Sequence, residues 1–243
     1  NVTGNFRVTI TANPAEQDES EGTISGTSQE VSSASSFAKA LQNDEINTIE
    51  LEKDITISKN ANLVVDEDTT INFNGNTLTV QPGNIKVKDG AELVLSDDNG
   101  TGGITAAKNA VTVENGGELT VASGTYETTE YLGRGSVFTI AEGADNAKIT
   151  INGGTINADY FAVASYSDGE VEINGGEINS SATVKNTDES GATYHAYTVR
   201  LSKGHLTMNG GTVNGTHGAI ALIGTASATI DGGTVTVNNS YEG

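Results

Sequence analysis

The 243-residue chain has no cysteine and no tryptophan, 2 prolines, and only 12 lysines and arginines against 32 aspartates and glutamates, for a formal net charge of -20. Without cysteine there is no disulfide framework and no thiolate metal site. The shortage of basic side chains excludes general binding of nucleic acid or anionic lipid through a basic face. No apolar run approaches the roughly 18 residues of a membrane span, and the start at Asn1 lacks the basic and apolar regions of a signal peptide. Hydrophobic residues make up 35% of the chain and aromatics 5%, too few for a thick globular core. Any core must be thin or assembled from repeated units. The chain begins without methionine and residues 238–243 offer no capping sequence, which reads as a chain processed or excised from a longer one.

What the chain does have is glycine, 30 residues of it, and a repeat. Asn115-Gly-Gly, Asn152-Gly-Gly, Asn174-Gly-Gly, Asn209-Gly-Gly and Asp231-Gly-Gly recur, with Asn74-Gly75-Asn76 as an earlier variant. Successive intervals are 41, 37, 22, 35 and 22 residues. The 22-residue spacing is the natural unit, and the longer ones hold an inserted loop or a second, degenerate unit such as Asp89-Gly90. Around each turn β-branched and aliphatic residues alternate: Ile149 and Ile151 precede Asn152, and Val171 and Ile173 precede Asn174. Such period-two patterning, broken by Gly and Asn, is strand chemistry. A third short strand, such as Val199-Arg-Leu201, precedes each unit.

Three short strands per 22 residues make one coil, which cannot bury its inward side chains alone; stacked coils can. The fold expected is therefore an all-β, right-handed parallel β-helix. Hairpins compete for the Asn-Gly signal, but the third strand has no hairpin partner. Asn and Gly at the corner suit a left-handed backbone. Stacking at about 4.8 Å would let the turn residues Asn74, Asn115, Asn152, Asn174, Asn209 and Asp231 form a side-chain ladder. Serines 35 and 36 ahead of Phe37, Ala40 and Leu41 predict a short capping helix over the first coil. Residues 1–34 read as an N-terminal strand at residues 6–10 followed by a polar, acidic arm, and residues 35–243 as the β-helix.

The stretch from Ser35 to Val80, a short helix followed by Ile49-Glu-Leu51-Glu-Lys-Asp54-Ile55 and Ile71-Asn-Phe73-Asn-Gly75, resembles the opening of pectate-lyase-like β-helix domains on bacterial surface proteins. The later Gly-Gly-Thr-Ile/Val units resemble the same group, so the resemblance covers residues 35–243. It implies adhesion or glycan binding at an extracellular or cell-surface location, with polysaccharide lyases and hydrolases on related scaffolds. The same architecture implies, as an alternative, a virion fibre or decoration protein anchored through residues 6–10.

Catalytic chemistry finds little support in the residues. Asp97-Asp98 and Thr216-His217-Gly218 resemble elements of polygalacturonase-type β-helices, but no Lys or Arg follows Lys203, where that pattern needs a basic motif. A lyase needs a basic residue beside calcium-bound uronate; the arginines are Arg7, Arg134 and Arg200, neither Arg134 nor Arg200 has an acidic cluster resembling a calcium site nearby in sequence, and Arg200 is expected to point to solvent. No cofactor is implied, and calcium has no motif. The expected partner is a surface polysaccharide or a larger surface or virion assembly, with no nucleic acid and no membrane insertion. The candidate binding residues are Tyr131, Tyr160, Tyr166, Tyr194 and Tyr197, with Asp159 and Asp168, because rings stack on pyranoses and carboxylates accept from hydroxyls. Tyr126 falls in the same aromatic-rich stretch. The competing reading packs these rings against the solenoid wall, with Phe161 in the core through its alternation with Val163.

Overall fold

The computed structural model describes residues 26–58, 61, 63–129, 135–181, 186–187, 193–194 and 196–238, without the side chains of residues 186, 187, 193 and 194. Residues 6–10 and Arg7 lie outside the described residues. Three short strands recur in fixed order, and each pairs in parallel with its equivalent one turn later. A first sheet of nine strands runs from Thr27–Val31 and Ile46–Leu51 to Ser227–Ile230. A second of eight runs from Ile55–Ile57 to Thr234–Val237, and a third of seven from Val64–Val65 to Ile220–Leu222. The result is a right-handed parallel β-helix of about eight turns.

The register explains the core. One column of the first sheet stacks Ile49, Ile71, Leu95, Val121, Ile151, Ile173 and Met208 on successive coils, and all seven are fully buried. Period two sends their neighbours outward, so Glu170–Ile173 alternates between exposed or half-buried and buried positions. Each coil buries its aliphatics only against the coils above and below, which is why 35% hydrophobic content suffices. Aromatics plug one stretch of the interior: the Tyr126 ring lies 5.9 Å from Phe73 and 5.3 Å from Phe138. Tyr126 is thus a core residue and not part of an outer loop.

The corners explain the Asn-Gly-Gly signature, with two departures from the sequence reading. Asn152, Asn174, Asn209 and Asp231 follow strands of the first sheet, but Asn115 sits between Val111–Val113 and Glu118–Val121, at the corner joining the third sheet to the first. It accepts from the backbone N–H and side-chain amide of Asn146 and stands outside the ladder. The left-handed residue is also not the asparagine, Asn74 excepted. In the four repeats it is the second glycine, with φ of +83° at Gly154, +85° at Gly176, +75° at Gly211 and +87° at Gly233. The first glycine answers a different demand: a Cβ on Gly175 would lie 2.3 Å from the Asn152 carbonyl oxygen of the coil below. The asparagines themselves link coils. Asn209 Nδ2 donates to Asn174 Oδ1 at 2.8 Å, and Asn174 Nδ2 to Asn152 Oδ1 at 3.0 Å. A second ladder on the outer face of the second sheet, Asn214 to Asn179 to Asn157, has the same 3.0 Å spacing at both steps.

One end of the rod is closed. The helix Ala34–Ala40 starts at an N-cap, Ser33, two residues before the serine expected to begin it, and Ser33 and Ser36 each accept from the other's backbone N–H. Phe37 and Ala40 are buried against the first strands. Thr27–Val31, inside the stretch read as a polar arm, is a strand of the first sheet with Val31 buried.

Replacing Ile173, in mid-column, by alanine is expected to cost about 2–5 kcal/mol. Chemical denaturation followed by circular dichroism should show an earlier midpoint, and an unchanged midpoint would contradict a column core.

Candidate functional site

On most of the rod the outward row of each strand meets solvent. The third sheet departs from this at Ser136–Ile140 and Phe161–Ser165, where every residue of both strands is buried. A second apolar cluster, separate from the inner columns, covers that outer face. It consists of Tyr160, Phe161, Ala164 and Ala196, with Tyr166 and Tyr197 packed at its margin and half-buried. Phe161, expected in the inner core, belongs to this outer cluster.

The outward row of the sheet runs Thr139, Ala164, Arg200 on successive coils. The Arg200 side chain reaches from this row to the rings. Its guanidinium carbon lies 5.6 Å from the Phe161 ring centroid and 5.3 Å from that of Tyr166, within cation–π range. The Tyr160 and Phe161 centroids are 4.2 Å apart. Arg200 Nη1 and Thr139 Oγ1 are buried without a hydrogen-bond partner. Arg200 is therefore half-buried among rings, where sequence alone set it in solvent. The Tyr197 ring lies 6.3 Å from the imidazole of His217. Such a patch offers ring faces, a partly desolvated cation and hydroxyls to a ligand that is both polar and flat.

Of the sequence-derived candidates, Tyr160, Tyr166 and Tyr197 are brought together. Tyr160, at 2% exposure, anchors the cluster and presents no ring to solvent. The two aspartates stand apart from each other. Asp159, at the corner before Phe161–Ser165, accepts from Ser181 Oγ at 3.3 Å, while Asp168 lies exposed beyond the far end of that strand, its N–H donating to Asp145 Oδ1 at 3.2 Å. Tyr131 and Arg134 lie outside the described residues, as does the side chain of Tyr194, whose backbone pairs in a short antiparallel ladder. Arg200 and Phe161 were missed as partners. The available signal was the 35-residue interval between Asn174 and Asn209, which holds enough chain for an insertion against the sheet.

The residues that resemble a hydrolase do other things. Asp97 is 4% exposed, and its carboxylate accepts from the backbone N–H of Gly75 at 2.6 Å and of Gly102 at 2.9 Å, tying a corner together. Asp98 accepts from Asn72 at 2.9 Å. His217 lies four turns further along, about 19 Å at the inter-strand spacing, so the two elements do not converge. Among the described residues no group of three or more His, Cys, Asp or Glu is placed to hold a metal ion, and no helix is long and apolar enough to cross a membrane. On the first sheet Lys148 pairs with Glu172 at 3.1 Å; the hydrogen bond from Lys148, with a second from Asn174, holds the Glu172 carboxyl below the usual range.

No protein-family model, no curated protein sequence and no solved structure matches the chain. The resemblance to surface-protein β-helices rests on the turn and strand motifs alone.

Burial, with a smaller contribution from the Asp97 carboxylate, pushes the Tyr126 hydroxyl well above the ordinary tyrosine range. A phenol whose folded pKa is raised contributes stability that is fully present below its unfolded pKa, near 10, and lost as pH rises toward the folded value. Stability should therefore fall by about 1.4 kcal/mol per pH unit above pH 10 through this group. In Tyr126→Phe the slope of unfolding free energy against pH should be smaller by one proton. Equal slopes in the two proteins would remove Tyr126 from the account.

Proposed function

We propose that the chain is a non-enzymatic, adhesin-type β-helix module of the pectate-lyase-like kind, displayed outside the cell, that binds a surface polysaccharide through the outer face of its third sheet. The observation that carries this reading is the aromatic cluster built around Arg200 on that face. The rest of the solenoid wall keeps the usual outward polar rows, so an extra layer of rings needs a reason beyond closing the core. Tyr166 and Tyr197, half-buried at the margin, are the rings that a pyranose would stack on. Arg200, held between Phe161 and Tyr166, orients the ring of Tyr166 and lends a donor to sugar oxygens. The structural engagement of Asp97 and the distance to His217 support binding over hydrolysis.

Glycan arrays followed by calorimetry, with calcium and without, test the reading. At least one surface polysaccharide should bind, and Tyr166→Ala and Arg200→Ala should each weaken it about tenfold, the loss of one stacking or charge-assisted contact of about 1.4 kcal/mol. Absence of binding to every polysaccharide, or release of new reducing or unsaturated ends, would overturn it.

A further inference from the structure

Seven asparagines are followed directly by glycine: Asn74, Asn99, Asn115, Asn152, Asn174, Asn209 and Asn214. The pair is chemically fragile, because glycine has no side chain to keep its backbone nitrogen away from the Cγ of the asparagine before it. At six of the seven, stacking restrains it. A Cβ on the following glycine would lie between 1.8 and 3.4 Å from a neighbouring group, so adjacent chain hems in the backbone that would have to move. Hydrogen bonds add to this. The N–H groups of Gly75, Gly175 and Gly210 donate to Asp97 Oδ1 at 2.6 Å, the Ile151 carbonyl at 3.2 Å and the Ile173 carbonyl at 3.3 Å. The side-chain carbonyls of Asn115 and Asn152 accept from Asn146 and Asn174. The Asn214 amide donates to Asn179 Oδ1 inside a strand paired on both sides.

Asn99 stands differently. The corner between Glu92–Ser96 and Gly103–Ala106 holds residues 97–102, where later corners hold only residues 152–154 and 174–176. Asp97 fixes its base through the N–H groups of Gly75 and Gly102, but residues 98–101 are exposed. Nothing stands within 4 Å of where a Cβ on Gly100 would lie. Among the described residues the Gly100 N–H meets no acceptor and the Asn99 Oδ1 no donor. The side chain is held by one exposed bond, from Asn99 Nδ2 to Asn74 Oδ1 at 3.0 Å.

We propose that Asn99 is a site of spontaneous deamidation, with water as its co-reactant, and that stacking protects the other six Asn-Gly pairs.

The chemistry needs no group beyond the chain and solvent. Solvent base removes the Gly100 amide proton, and that nitrogen bonds to Asn99 Cγ. The Cγ–Nδ2 bond breaks, and Nδ2 takes up a proton and leaves as ammonia, closing a cyclic imide. Water then opens the imide at either carbonyl. Attack at Cγ breaks its new bond to the Gly100 nitrogen and gives aspartate. Attack at the backbone carbonyl breaks the original peptide bond to Gly100 and gives isoaspartate, in which the main chain runs through the former side chain. Each product carries one oxygen from water and one new negative charge. An aspartate here sets its carboxylate against Asn74 Oδ1, two acceptors with no proton to share, so that tie across the corner is lost.

The test incubates the whole chain at mildly alkaline pH in water labelled with heavy oxygen, followed by cleavage and mass spectrometry of the peptides. The peptide carrying Asn99 should take up one labelled oxygen and appear as both aspartate and isoaspartate, with ammonia released in equal amount. Its conversion should be at least about tenfold faster than at Asn174 or Asn209, whose hydrogen bonds must first open. In concentrated urea, where no coil is stacked, the rates at all the Asn-Gly pairs should draw together. An unchanged Asn99 peptide, conversion at Asn174 or Asn209 as fast as at Asn99 in the folded chain, or the same spread of rates in urea as in the fold would each overturn the proposal.

Discussion

Everything in this molecule depends on one requirement: each coil must hydrogen-bond in parallel to the coil before it, about 4.8 Å away, with no slip in register. That spacing decides which residue can stand at each position. Inward positions stack like on like, so Ile151, Ile173 and Met208 form one column on consecutive turns. At the four corners after the first sheet the backbones approach so closely that the first glycine of the turn has no space for a Cβ, while the second supplies the positive φ that sends the chain into the next sheet. Polar side chains at equivalent positions fall within hydrogen-bonding distance, and the two asparagine ladders follow. A glycine-rich, weakly hydrophobic composition is what such a rod needs.

The same requirement limits where the chain can vary. Extra residues inside a strand would break two ladders at once; at a corner they cost only loop closure. The 35-residue interval between Asn174 and Asn209 is such an enlargement, entering between Glu177–Ser180 and Val199–Leu201. Beside it the outer face of the third sheet carries Tyr160, Phe161, Tyr166 and Tyr197 around Arg200. The rings and the cation are supplied by different coils, Tyr160 to Tyr166 by one turn and Tyr197 to Arg200 by the next. Stacking alone makes them neighbours.

The fold was legible because it is written several times over. The Asn-Gly-Gly spacing, the alternating aliphatics and the third strand each point to a coil, and repetition removes the ambiguity that one hairpin-like turn would carry. The site was legible only in part. That Tyr166 and Tyr197 sit outside the rod followed from the aromatic-rich stretch, but periodicity says nothing about what covers an outward row. Alternation put Phe161 beside Val163 in the core and Arg200 in solvent; the outer cluster captures both. Tyr126 went the other way, because its place in a strand register opposite Ile104 and Ile156 fixes it inward. Asn115 misled because two different corners of the coil use Asn-Gly-Gly, and only pairing partners tell them apart.

Parallel stacking contains no instruction to stop: whatever adds one coil to another would add the next as well. Termination must come from residues that are not part of the repeat. At the first end it does, through a helix whose serine capping box fixes its start and whose Phe37 fills the column mouth. Along the sides, outward acidic residues keep rods apart, since 32 carboxylates against 12 basic groups make lateral contact repulsive. In the coil of Ser227–Ile230 the column residues Ile230 and Val235 are half exposed, and from Val199 to Asn238 the single acidic residue is Asp231. Even the ladder ends there, because a carboxylate in the asparagine position has no amide N–H to pass on. Over residues 199–238 the repeat therefore keeps its inward register while its charge and its corner residue change.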